Sequence, residues 1–109
     1  MVDRAAGKAG GLGLGFNGGE LLALAIGGCL CNDLRYVAHE MNVELATIRV
    51  SVTLSLEGAP LLATEADVLV EVTCLDPAAD VATVVERAKA GSTVSNSIAR
   101  GFPVRVLSG

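Results

Sequence analysis

The chain has 109 residues, 51% of them hydrophobic and 18% charged, with a net charge of −4 and only three aromatic side chains. One domain fits this length, and a chain so short buries roughly 60–65% of its unfolded surface when it folds alone, so the apolar excess points to a buried subunit interface. An acidic chain without a basic stripe or stacking platform excludes a nucleic-acid partner, and its three cysteines and single histidine show no metal-ligand spacing, so no metal or cofactor is expected.

Residues 1–16 read as a flexible, glycine-rich lead-in, and residues 1–19 together hold seven of the thirteen glycines. They include Gly13–Gly18, "GLGFNG", formally a dinucleotide-binding spacing. The strand that should precede it and the acid-ended strand that should follow it are both missing, so it reads as a loop. Residues 17–109 read as a single domain.

"NGGELLALAIGGCLCNDLRYVAHEMN" predicts a long first helix, with Asn17 and Glu20 in capping-box positions. Its first half is apolar all round (Leu21, Leu22, Leu24, Ile26, Leu30), which predicts a buried helix. Gly27 and Gly28 each cost about 1 kcal/mol in mid-helix relative to alanine and suggest close approach of another backbone. The apolar run Leu21–Cys31 falls far short of the ~20 residues that span a bilayer, so no membrane is expected. "AIGGC" resembles a lipid-attachment signal, but Asp3 and Glu20 put acid where such a signal wants positive charge.

"ATIRVSVTLSLEG" alternates strictly, with Ile48, Val50, Val52, Leu54 and Leu56 on one face, as a half-buried antiparallel strand does. After the "EGAP" turn, a second strand over 65–75 puts Ala66, Val68, Val70, Val72 and Cys74 inward. Asp76 and Pro77 are placed to start a second helix, closed by Gly91, with Val81, Val84, Val85 and Ala88 as its buried stripe. Ser92 is placed to cap a short third helix ending at Gly101, and residues 103–107 read as a last strand. This order defines an α+β fold: a long buried central helix packed on a small antiparallel sheet.

"GGLGLGFNGGELLALAIGGCL", the following long helix and hairpin, and "GSTVSNSIARGFPVRV" together resemble the OsmC/Ohr family of thiol-dependent hydroperoxide reductases. The resemblance covers about residues 10–107. It implies an intertwined homodimer with its long helices at the centre, between sheets built from both chains. It also implies a first-helix cysteine that attacks an alkyl hydroperoxide, a second cysteine that closes a disulfide, and an assisting arginine and glutamate. Cys29 sits at the attacking position. Ser92 stands where the second cysteine is expected, and Thr93 where its proline is expected. The family's helix-start acid corresponds to Gly19, with Glu20 one residue late. The usual N-terminal strands, which carry the arginine, have no counterpart in this sequence, and Arg4 does not match that arginine.

The candidate catalytic residues are therefore Cys29, Glu20 and Ser92. Asp33, four residues on, shares the face of Cys29, and a carboxylate there disfavours the thiolate. Cys31 points about 200° away from Cys29 and cannot pair with it within one helix. Cys74 is the one in-chain candidate for a new resolving thiol, with core filler as its other reading. His39 lies about 15 Å along the helix, too far to act as base for Cys29. Two functions follow from the resemblance and its departures. One is a one-cysteine organic hydroperoxide reductase for oxidative stress defence, served by an external thiol reductant in the cytoplasm. The other is a catalytically degenerate dimer of the same fold, structural or holding a small apolar ligand.

Overall fold

The computed structural model describes all 109 residues as three helices and one two-stranded antiparallel sheet, the α+β arrangement read from the sequence. In chain order these are α1 (Gly18–Glu40), β1 (Leu45–Glu57), β2 (Leu62–Cys74), α2 (Val81–Gly91) and α3 (Thr93–Arg100).

Helix α1 begins where the capping box places it. The Asn17 side chain accepts from the Glu20 N–H at 2.9 Å, and the Glu20 carboxylate accepts from the Asn17 N–H at 3.0 Å. The helix ends at a left-handed Asn42 (φ 55°), from which the chain turns into β1.

Strands β1 and β2 pair in a register that sets Ile48 opposite Val72, Val50 opposite Val70 and Val52 opposite Val68. These valines and Ile48 form the half-buried face, as the alternation requires. Strand β2 starts three residues earlier than the sequence reading, because the hairpin remains paired out to Glu57 and Leu62. Against this face, α1 lays Leu30, Leu34 and Ala38, joined by Val84 and Ala88 of α2, to make the core.

Other expectations require correction. Helix α2 starts at Val81, and its cap is Asp80, whose side chain accepts from the Thr83 N–H at 3.1 Å. Asp76 instead closes a turn through the Ala78 N–H at 2.9 Å, which delays the helix by one turn. Residues 103–107 form no strand: Val104 and Val106 are exposed, and the segment pairs with neither edge of the two-stranded sheet. No other backbone of the same chain approaches Gly27 or Gly28. A Cβ at Gly27 would meet the Val52 side chain at 3.1 Å, whereas one at Gly28 would meet nothing within 4 Å.

The burial of α1 is one-sided. Ile26, Gly27, Leu30, Leu34 and Ala38 are buried, while Leu24, expected inside, is 51% exposed. One chain supplies only a two-stranded sheet and two short helices, too little to surround a 23-residue helix. By length and composition alone α1 is apolar enough to cross a membrane, unlike the 11-residue run that the sequence reading considered; here its buried row has the sheet and α2 as partners.

The lead-in is closed on itself by Asp3, whose carboxylate accepts from the N–H groups of Arg4, Leu12 and Leu14. These bonds, that of Leu14 foremost, hold the Asp3 carboxyl below its ordinary value. A single parallel bridge joins Val2 to Phe16.

Candidate functional site

Cys29 lies midway along α1, half-buried, on the side that faces the junction of α2 and α3. That junction is Ser92, which the end of α2 and the start of α3 place directly against the long helix. Ser92 is 1% exposed, and its hydroxyl donates to the Cys29 sulfur at 3.8 Å across 63 residues of sequence. It occupies the N-cap position of α3 as expected, yet makes no side-chain cap bond there. A hydroxyl in this place serves the thiol instead of the helix end. The thiol in turn donates to Asp33 Oδ2 at 3.6 Å, one helical turn on. Sulfur thus sits between one hydrogen-bond donor and one carboxylate.

The structure brings together two of the three candidate residues, Cys29 and Ser92. Glu20 remains at the N-terminus of its own helix, engaged by the Asn17 N–H. It stands nine residues before Cys29, about 13 Å along the axis. Asp33, read from the sequence only as a hindrance to the thiolate, is the third member of the cluster. Its signal was the i, i+4 spacing from Cys29.

The other two cysteines have different surroundings, and all three are free thiols. Cys31 turns to the opposite side of α1 and lines an open apolar cavity of about 330 Å³, together with Ala23, Leu24, Gly28 and Val52. Cys74, the in-chain candidate for resolution, lies at the end of β2 opposite Leu45. The stretch of sheet beside the middle of α1 is Val50 and Val52, which pack at Gly27. Cys74 is therefore removed from Cys29 by at least five strand residues, roughly 16 Å. That separation puts it out of disulfide reach of Cys29 within one chain.

No group of His, Cys, Asp or Glu side chains is arranged to hold a metal ion. The two ion pairs, Arg4 with Asp3 and Lys89 with Glu86, involve neither Cys29 nor Asp33. Within one chain the sulfur has no cation to support an anionic form, so the cluster can hold a thiol, orient it and pass its proton, while thiolate support rests on the Ser92 hydroxyl.

A half-buried cysteine in the middle of a long helix, met by the residue that opens the last helix of an α+β chain, is the arrangement that the two sequence motifs imply together. The family model of OsmC-like proteins matches residues 9–106, nearly the whole chain, and the protein belongs to that family. No curated protein matches the chain.

Proposed function

We propose that the protein is a one-cysteine thiol peroxidase that reduces organic hydroperoxides in oxidative stress defence. The observation that carries this reading is the Ser92–Cys29 contact. A long-range fold interaction places a buried hydroxyl donor on the sulfur of a mid-helix cysteine, where core filler needs no such partner. Cys29 sulfur attacks the distal oxygen of the hydroperoxide, the O–O bond breaks, and an alcohol leaves. Cys29 remains as a sulfenic acid, two electrons more oxidised. Because Ser92 cannot close a disulfide, an external thiol condenses with the sulfenic acid, releasing water, and a second thiol restores Cys29.

The working unit in this reading is an intertwined homodimer. Only 9 of 109 residues are buried in one chain, and large apolar side chains such as Leu24, Leu69, Phe102 and Val106 lie open. The radius of gyration is 17.1 Å, against about 13 Å for a compact domain of this length. A two-stranded sheet is also marginal by itself. In such a dimer Glu20 is the candidate assisting acid at the partner's thiol, set free by exchanging its capping bond. Three unpaired thiols suit a reducing compartment, the cytoplasm.

The cavity beside Cys31 favours the second reading, a dimer of the same fold that binds a small apolar ligand without catalysis, since its volume falls within the range of small-molecule sites. Hydroperoxide consumption with a dithiol reductant separates the two. The peroxidase reading expects slow, measurable turnover that Cys29→Ser removes, and dimedone labelling of Cys29 after one equivalent of cumene hydroperoxide. Brisk turnover that survives Cys29→Ser, or none at all in the unaltered protein, overturns it.

A further inference from the structure

A peroxide reduction by a single thiol has two proton requirements. The sulfur must lose a proton before or as it attacks, and the departing alkoxide must gain one. Neither Glu20 nor His39 reaches Cys29 within the chain, since each stands nine or ten residues away, about 13–15 Å along α1. The Ser92 hydroxyl points its own proton at the sulfur and is no base at neutral pH. Asp33 is the one ionisable side chain that touches the sulfur, as acceptor of the S–H bond at 3.6 Å.

The charged groups of the neighbouring elements are directed elsewhere. Arg35 and His39 line a separate hollow with Val43 and Leu45. Lys89 pairs with Glu86 on the exposed side of α2, Arg87 is exposed on the same helix, Arg49 stands on the outer face of the sheet opposite Glu71, and Arg100 is exposed at the end of α3. Asp33 has no ion pair to occupy it.

Building on the peroxidase reading of Cys29, we infer that Asp33 is a catalytic residue, the carrier of the thiol proton to the leaving alkoxide. Asp33 Oδ2 takes the proton from Cys29 as the sulfur lone pair forms a bond to the distal peroxide oxygen. The O–O electron pair departs with the proximal oxygen, which receives the same proton from Asp33. The products are the Cys29 sulfenic acid and an alcohol, and Asp33 returns to a carboxylate. A carboxylate is a weak base for a thiol, so the transfer is concerted with attack, and its worth lies within the 10²–10⁴-fold typical of positioned acid–base groups. Ser92 complements it by donating to the sulfur as negative charge develops there.

The test compares two electrophiles on the full chain carrying Cys31→Ser and Cys74→Ser, so that Cys29 is the only thiol. Cumene hydroperoxide needs a proton for its leaving group, whereas iodoacetamide releases iodide, which needs none. Asp33→Asn is expected to slow the hydroperoxide reaction by about tenfold or more, while the iodoacetamide reaction holds or rises. A change of both rates by the same factor overturns the inference, because it marks only an effect of charge or packing on the thiol. If the asparagine variant loses its circular dichroism signature, Asp33→Ser is read by the same ratio. Absence of hydroperoxide reaction above the Cys29→Ser background in the unaltered protein brings down the peroxidase reading itself and this inference with it. An unaltered ratio in an active protein brings down only the role of Asp33.

Discussion

Cys29 and Cys31 are two residues apart on one helix and live in different chemical worlds. Cys29 meets a buried hydroxyl and a carboxylate, while Cys31 faces glycine, alanine, leucine and valine around an open apolar space. The rotation of about 200° between i and i+2 accomplishes this. One side of α1 lies against the start of α3, and the other against β1. Residue type therefore says little about a cysteine in this protein, and position around the helix says nearly everything.

The largest effect that sharpens this contrast is catalytic. Cys29→Ser is expected to abolish hydroperoxide turnover and Cys31→Ser to leave it intact, read from peroxide consumption in the presence of dithiothreitol. Equal losses from both would erase the distinction between the two faces. The next effect is structural. With the Ser92 oxygen 3.8 Å from the Cys29 sulfur, the Ser92→Cys variant is expected to form a disulfide between its new thiol and Cys29 under mild oxidation. The oxidised variant then titrates two free thiols of four. It gains about 4 kcal/mol of stability from closing a loop of this length, if the native geometry accepts the bond without strain.

Smaller effects probe the Cys31 side through its two glycines. Gly27→Leu drives a side chain into Val52 and is expected to destabilise the fold by about 1–3 kcal/mol in urea denaturation. Gly28→Ala enters open space and is expected to raise stability by up to about 1 kcal/mol. A fall in Tm for Gly28→Ala would place a partner chain against that notch. The smallest effect lies away from both faces. The Thr83 hydroxyl and N–H hold the Asp80 carboxyl below its ordinary value near 3.8. The stabilisation from this cap is complete above that unfolded-state value and disappears as pH falls through the lower folded one. The difference in Tm between the unaltered protein and Asp80→Asn should accordingly shrink between about pH 5 and pH 2 and remain flat from about pH 5 to 7.

Much of this architecture was legible from local pattern. The capping box at Asn17 and Glu20, the alternation of Ile48–Leu56 and the stripe of Val81, Val84, Val85 and Ala88 each encode an element through contacts a few residues apart. The start of α2 was less so, because Asp76 and Asp80 are both competent caps and only the turn at Asp76–Ala79 selects the second. Residues 103–107 alternate like a strand but dock on neither edge of the sheet, since periodicity does not decide whether a segment is brought to a pairing partner.

The site divides along the same line. The sequence by itself determined that Cys29 lies mid-helix, that Asp33 shares its face and that Cys31 does not, because helical geometry relates near neighbours with no knowledge of the rest of the chain. Only the tertiary structure decided that Ser92 leaves its helix end to bond the sulfur, that Cys74 stays out of reach and that Gly27 lies against Val52 while Gly28 faces open space. Those outcomes join residues as many as 63 apart. They follow from how α1 is seated between the sheet and the α2–α3 junction, which is set by burial of Leu30, Leu34, Val84 and Ala88 and not by any local motif.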